Sequence, residues 1–109
     1  MYFLNIIKLL KKKYDFVFFS EGKNYQKYFI DFIKNLSTLE KKIIYLSSDK
    51  FDKIHEKNVV NVFIGRGLLR AFFLNLIKCK YFFMTLTDLN NHEIKKNKKI
   101  DKYIYIFHA

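Results

Sequence analysis

Short apolar runs recur along this chain, and between them the hydrophobic period changes to that of a helix. Asp15-Phe16-Val17-Phe18-Phe19-Ser20 is apolar at consecutive rather than alternate positions, the signature of a strand covered on both faces. Lys42–Ser47, Val59–Ile64, Tyr81–Leu86 and Tyr103–Phe107 repeat the pattern. Between the first two runs, Asn24–Leu36 sets Tyr25, Tyr28, Phe29, Phe32, Ile33 and Leu36 at the spacing of one helical face. After Gly65-Arg66-Gly67, a second such face comprises Leu68, Leu69, Phe72, Phe73, Leu76 and Ile77. Buried strands alternating with amphipathic helices predict an α/β fold. Specifically, the pattern predicts a Rossmann-like three-layer domain with a mainly parallel five-stranded sheet and right-handed crossovers. The order of the strands cannot be read from the pattern.

At 109 residues the chain holds one domain at most. The expected division is an N-terminal amphipathic helix over 1–14 and a Rossmann-like domain over 15–109, incomplete at its C-terminal side. Hydrophobic residues make up 50% of the chain and aromatics 19%, which suffices for a core and excludes disorder. The net charge of +11 comes almost wholly from lysine, Arg66 and Arg70 being the two arginines. With abundant Asn, Ile, Phe and Tyr and no Pro or Trp, this reads as the drift of an AT-rich genome, and the lysines scatter through the loops. Nucleic acid is not the expected partner: the aromatics fall at core-facing positions, and the RNP pattern of RNA-binding sheets is absent. Cys79 stands alone, so no disulfide framework or cysteine metal site is expected, and a reduced, cytoplasmic setting fits. Met1–Leu10 is apolar, with its basic cluster Lys11-Lys12-Lys13 behind it rather than before it, unlike a signal peptide. No run approaches the ~20 apolar residues of a membrane span. A helix with Phe3, Ile6, Ile7 and Leu10 on one face would pack on its own domain, or rest peripherally on the inner face of the cell membrane.

In open parallel sheets, ligands bind beyond the carboxyl ends of the strands. The residues just beyond each apolar run therefore nominate a site. The groups are Ser20, Glu21, Gly22 and Lys23; Ser47, Ser48 and Asp49; Gly65, Arg66 and Gly67; Thr85, Thr87, Asp88 and His92; and His108. Gly22 and the Gly65/Gly67 pair each precede a helix. They either make tight turns or, beside Lys23 and Arg66, offer backbone amides to a phosphate or carboxylate. Neither segment is a GxGxxG or P-loop motif. His108, at a strand end, is either a general base toward a hydroxyl or a hydrogen-bonded structural residue. The three histidines lack metal-ligand spacing, and no metal site is expected.

The segments SEGKNYQKYF, KIIYLSSDK, VFIGRGLLRAFFLNLIKCKYFFMTLTDLNNHEIKK and YIYIFHA, taken in this order, resemble the N-terminal half of CDP-glycerol glycerophosphotransferase-like proteins. These are GT-B enzymes of the teichoic-acid polymerase type, found in cell-envelope biogenesis. The resemblance runs from about Phe16 to Ala109, and its most specific parts are Met84–His92 and the terminal YIYIFH. It implies a two-domain transferase of which this chain is the N-terminal, acceptor-facing part, inactive alone. The CDP-linked donor would be held by a C-terminal domain, so no cofactor is expected here. The expected partner is a hydroxyl acceptor on an envelope glycan or a lipid-linked chain. His108 stands where the polymerases carry the histidine of a Trp-His-Gly-like motif, flanked here by Phe107 and Ala109, and is the implied catalytic base. Asp88 and His92 match residues typical of the subgroup. The alternative is a small basic α/β module that binds polyanions without catalysis.

Overall fold

The computed structural model describes residues 8–65, 67–85 and 99–106. Their arrangement is set by which strands need cover on both faces. Val17, Phe18 and Phe19 in β1 (Lys13–Ser20) and Ile43–Leu46 in β2 (Ile43–Ser47) are at most 1% exposed, so both strands lie inside the sheet. The sheet is completed by β3 (Val59–Phe63), β4 (Lys78–Thr85) and β5 (Ile100–Ile106). All neighbours pair in parallel, in the order β3-β2-β1-β4-β5.

Each face of the sheet has its own apolar layer. On one, Phe18, Tyr45 and Phe83 meet Ile33 of the helix α1 (Ile30–Thr38) and Phe29, which caps it. Phe18 stacks on Phe83 with ring centroids 4.3 Å apart and meets Phe29 edge-on at 5.5 Å, both favoured aromatic geometries. On the other face, Val17, Phe19, Ile44, Leu46, Phe82 and Met84 pack with Phe73 and Leu74 of α2 (Leu68–Leu76), and Leu9 and Leu10 join them. The result is the expected Rossmann-like three-layer α/β fold, with every strand pair parallel. The link from β2 to β3 is a strap without a helix. Its Ile54 plugs the α1-side core, and the Asn61 amide grips the Ile54 backbone, accepting from the N–H at 2.9 Å and donating to the carbonyl at 3.0 Å. Chain stepping from β1 to β3 thus runs over one face and α2 returns over the other, as right-handed crossovers require.

Several expected boundaries move. The helix expected over 24–36 is two elements, a 3-10 helix at Lys23–Tyr28 and then α1. The Phe29 N–H donates to the Gln26 carbonyl at 3.0 Å, and no side chain caps the 3-10 helix at Gly22. The N-terminal helix expected over 1–14 ends by Leu10, because Lys13 and Tyr14 already belong to β1; residues 1–7 of it lie outside the described residues. β4 and β5 each start three residues earlier than their apolar runs. The reason is local. At the amino edge of the sheet, buried Tyr14, Cys79 and Ile100 alternate with exposed Lys13, Asp15, Lys80 and Asp101, so continuous apolarity fails as a guide there. Lys13 and Asp101 pair at 3.0 Å, spanning from β1 to β5 over the intervening β4. The helical faces are also turned from those expected: Leu68 is 91% exposed, and Phe32 and Phe72 are about half exposed.

Candidate functional site

The strand order reverses at β1: β2 and β3 step away on one side, β4 and β5 on the other. A crevice opens beyond the carboxyl ends at such a reversal, because the connections leave it in opposite directions. Ser20, Glu21, Gly22 and Lys23 emerge from β1 at this point. The register sets the strand ends in one row: Ser20 pairs with Ser47, Ser47 with Phe63, and Thr85 with Ile106. With neighbouring strands about 4.8 Å apart, the Gly65 turn after β3 and the end of β5 each lie about 10 Å from Ser20, on opposite sides.

Ser20 is fully buried, and its hydroxyl donates to the Gly22 carbonyl at 2.8 Å, closing the turn. The Ser48 N–H donates to the Ser20 carbonyl at 3.1 Å and the Ile64 N–H to the Ser47 carbonyl at 2.9 Å, carrying the pairing just past the ladder. Glu21 is half-buried and Lys23 exposed. Gly22 has extended backbone with open space where a Cβ would stand, so its turn makes no demand for glycine. Gly67 differs: it caps α2 at φ 71°, ψ −134°, a region open in practice to glycine. Gly65 also has φ 71° and is buried. The second glycine segment is thus a turn whose backbone requires its glycines, leading into an α-helix with no side-chain cap. The first leads into a 3-10 helix. Arg70, in the first turn of α2, reaches back with its Nη1 3.4 Å from the Ser48 hydroxyl.

Beneath this rim lies a polar network centred on Asp52, a residue that carries no signal in the sequence. Asp52 is 2% exposed. Its Oδ1 accepts from the Tyr45 hydroxyl at 2.9 Å and the Gln26 amide at 3.1 Å, and its Oδ2 from the Ser47 hydroxyl at 2.7 Å. Gln26 also donates to the Lys53 carbonyl at 2.8 Å. Burial, and then the Asp52 charge beside it, push the Tyr45 phenol above its ordinary range, with hydrogen bonding by Ser20 and Gln26 opposing in part. Tyr45 therefore stays a protonated donor at any ordinary pH. The network ties β2, the strap and the 3-10 helix together, and so fixes the floor from which the Ser20 turn rises. Asp49, three residues from Asp52, turns outward instead and accepts the Phe51 N–H at 2.9 Å.

Of the residues nominated from the sequence, Ser20, Glu21, Gly22, Lys23, Gly65 and Gly67 are gathered on the carboxyl rim. Arg66, Thr87, Asp88, His92 and His108 lie outside the described residues. Among the described residues no cluster of metal-ligating side chains occurs, and no helix is long and apolar enough to cross a membrane. The chain matches no family model, no curated protein and no solved structure.

Proposed function

We propose that this chain is the acceptor-facing half of a transferase resembling the CDP-glycerol glycerophosphotransferases. The enzyme would move an alcohol phosphate from a CDP-linked donor to a hydroxyl on an envelope glycan or lipid-linked acceptor. One observation carries the reading. The sheet order reverses at β1, the place where open parallel sheets bind ligands, and the Ser20–Lys23 turn leaves the sheet there, while the Gly65 turn and the end of β5 sit in the same row of strand ends. β5 closes at Ile106, two residues before His108 in sequence. In the proposed step the His108 imidazole takes the proton of the acceptor hydroxyl, whose oxygen attacks the β-phosphorus of the donor. A new P–O bond forms, the bond from that phosphorus to the bridging oxygen breaks, and CMP leaves with the electron pair. Lys23 and the backbone amides of the Gly65-Arg66-Gly67 turn would receive the anionic end of the acceptor. The cytidine half of the donor belongs to the second domain that the resemblance implies.

The test is a transfer assay with CDP-glycerol and a lipid-linked acceptor, on the protein that carries this chain. Replacing His108 with Ala should slow turnover by about 10²- to 10⁴-fold, the usual worth of a general base, with an unchanged circular dichroism spectrum. A variant that turns over at the wild-type rate would overturn the assignment. The second reading, a basic polyanion-binding module without catalysis, draws on the grouping of Lys8, Lys11, Lys12 and Lys42 at the opposite edge of the sheet. It predicts no transfer under any pairing of donor and acceptor.

A further inference from the structure

At the amino edge of the sheet, away from the carboxyl rim, the end of the N-terminal helix and the entries to β1 and β2 enclose an open groove of about 470 Å³. Four lysines line it, Lys8, Lys11, Lys12 and Lys42, with Leu9 and Tyr14 between them. All four lysines are exposed, whereas Leu9 is half-buried and Tyr14 is 8% exposed. No carboxylate among the described residues lines the groove. Among the described residues none of the four lysines has an ion-pair partner, whereas their neighbour Lys13 is held by Asp101. The Lys42 ammonium stands over the Tyr14 ring, 5.7 Å from its centroid, which keeps that charge at the mouth of the groove. Four unpaired cations around an apolar floor are not what lysine drift over a tolerant surface produces. They come from three separate stretches of chain, the helix end, the turn after it and the entry to β2, and converge on one depression.

We infer that this groove docks the chain on an anionic phospholipid surface, the lysines meeting lipid phosphates and the Leu9–Tyr14 floor facing the boundary between headgroups and acyl chains. The chemistry favours lipid over nucleic acid on two counts. Among the described residues the groove holds no arginine, the side chain that forks onto backbone phosphates. Its apolar floor also has no counterpart on a duplex, whereas an interfacial contact combines buried apolar area with attraction to anionic lipids. The residues preceding Lys8, Met-Tyr-Phe-Leu-Asn-Ile-Ile, carry no charged side chain, which suits the same setting. Lipid docking does not depend on the transferase reading, since it concerns the opposite edge of the sheet and needs no turnover.

Vesicle co-sedimentation tests it, with phosphatidylcholine vesicles compared against mixed phosphatidylcholine–phosphatidylglycerol vesicles. The chain should bind the mixed vesicles, leave the neutral ones, and release as salt rises. Each lysine near an anionic surface is worth about a fivefold change in partitioning. The quadruple variant K8Q/K11Q/K12Q/K42Q should therefore lose binding by about two to three orders of magnitude, while K95Q/K96Q/K98Q/K99Q, of the same net charge, should keep most of it. Glutamine keeps a polar side chain at the exposed Lys8, Lys11, Lys12 and Lys42, so folding is expected to survive, and circular dichroism checks it for both variants. Equal losses in the two variants would reduce the effect to net charge and overturn the inference. So would equal binding to neutral vesicles, or binding to duplex DNA through the same four lysines without vesicle binding.

Discussion

Two aspartates three residues apart, Asp49 and Asp52, meet opposite fates, and the difference locates the most sensitive polar side chain in the described structure. Asp52 accepts from Tyr45, Ser47 and Gln26 and is 2% exposed; Asp49 bends back to its own turn. Replacing Asp52 with alanine would strand two buried hydroxyls, those of Tyr45 and Ser47, each costing about 1–3 kcal/mol when left unmade, and would take one acceptor from the half-buried Gln26 amide, which keeps the Lys53 carbonyl. Some recover water as the strap loosens, so the expected loss is about 3–5 kcal/mol in a urea-unfolding series. Asn in its place keeps one carbonyl oxygen and asks the Ser47 hydroxyl to rotate and accept, which predicts a smaller loss of about 1–2 kcal/mol. An alanine variant as stable as wild type would show that the network carries no weight. Asp52 was not legible in the sequence, since Ser-Ser-Asp-Lys-Phe-Asp offers two equivalent carboxylates and the turn geometry alone decides which faces in. Ser20–Lys23 and Gly65–Gly67 were legible for the opposite reason: the ends of apolar runs fall at the ends of strands, whatever the order of those strands.

At the scale of elements, the five strands and the two α-helices between them could be read, but neither the 3-10 turn that opens the first of these helices nor the rotation of the helices. α2 is apolar nearly all round, Leu-Leu-Arg-Ala-Phe-Phe-Leu-Asn-Leu, so its hydrophobic pattern permits more than one buried face. The packing selects Phe73 and Leu74, with Ile77 just beyond the helix end, and leaves Leu68 and Phe72 toward solvent. Adjacent phenylalanines then make an internal control. Phe73, with no exposure, should cost about 3–5 kcal/mol on replacement by alanine, the range for emptying a core site of that size. Phe72, 45% exposed, should cost less than about 1.5 kcal/mol, in proportion to the smaller area it hides. Chemical denaturation of the two variants side by side reads the rotation of the helix directly, and equal losses would contradict it. The strap between β2 and β3 illustrates the limit from the other side. Its polar sequence gives no periodic signal, because one apolar residue, Ile54, plugs the core, and scattered polar contacts, the Asn61 amide and the Asp52 network among them, hold the rest.

For the whole molecule, strand order was the largest quantity beyond reach of the sequence, because a buried strand carries no mark of its neighbour. Phe18 would suit any partner that offered a ring; it finds Phe83 of β4, 65 residues on. Charge, by contrast, is fully legible and acts at the same scale. The chain carries 21 basic and 10 acidic side chains, and the ion pairs among the described residues, Lys13–Asp101 and Lys57–Glu40, are both at exposed sites, where such pairs contribute little. The Cα radius of gyration is 12.9 Å. At about 10 mM ionic strength the screening length is about 30 Å, so every cation feels every other across the fold; at about 150 mM it is about 8 Å, and repulsion shrinks to near neighbours. Unfolding lets the charges move apart, so repulsion lowers the stability of the compact state more than that of the open chain. The melting temperature should accordingly rise as sodium chloride is added over this range, and most of the rise should come before the screening length falls below the molecular radius. The quadruple K8Q/K11Q/K12Q/K42Q variant should melt higher than wild type at low salt, with the gap closing as salt is added. A profile that falls with salt would mean that attractive pairs outweigh the repulsion, and that the lysines are balanced by acids more closely than the exposed pairs indicate.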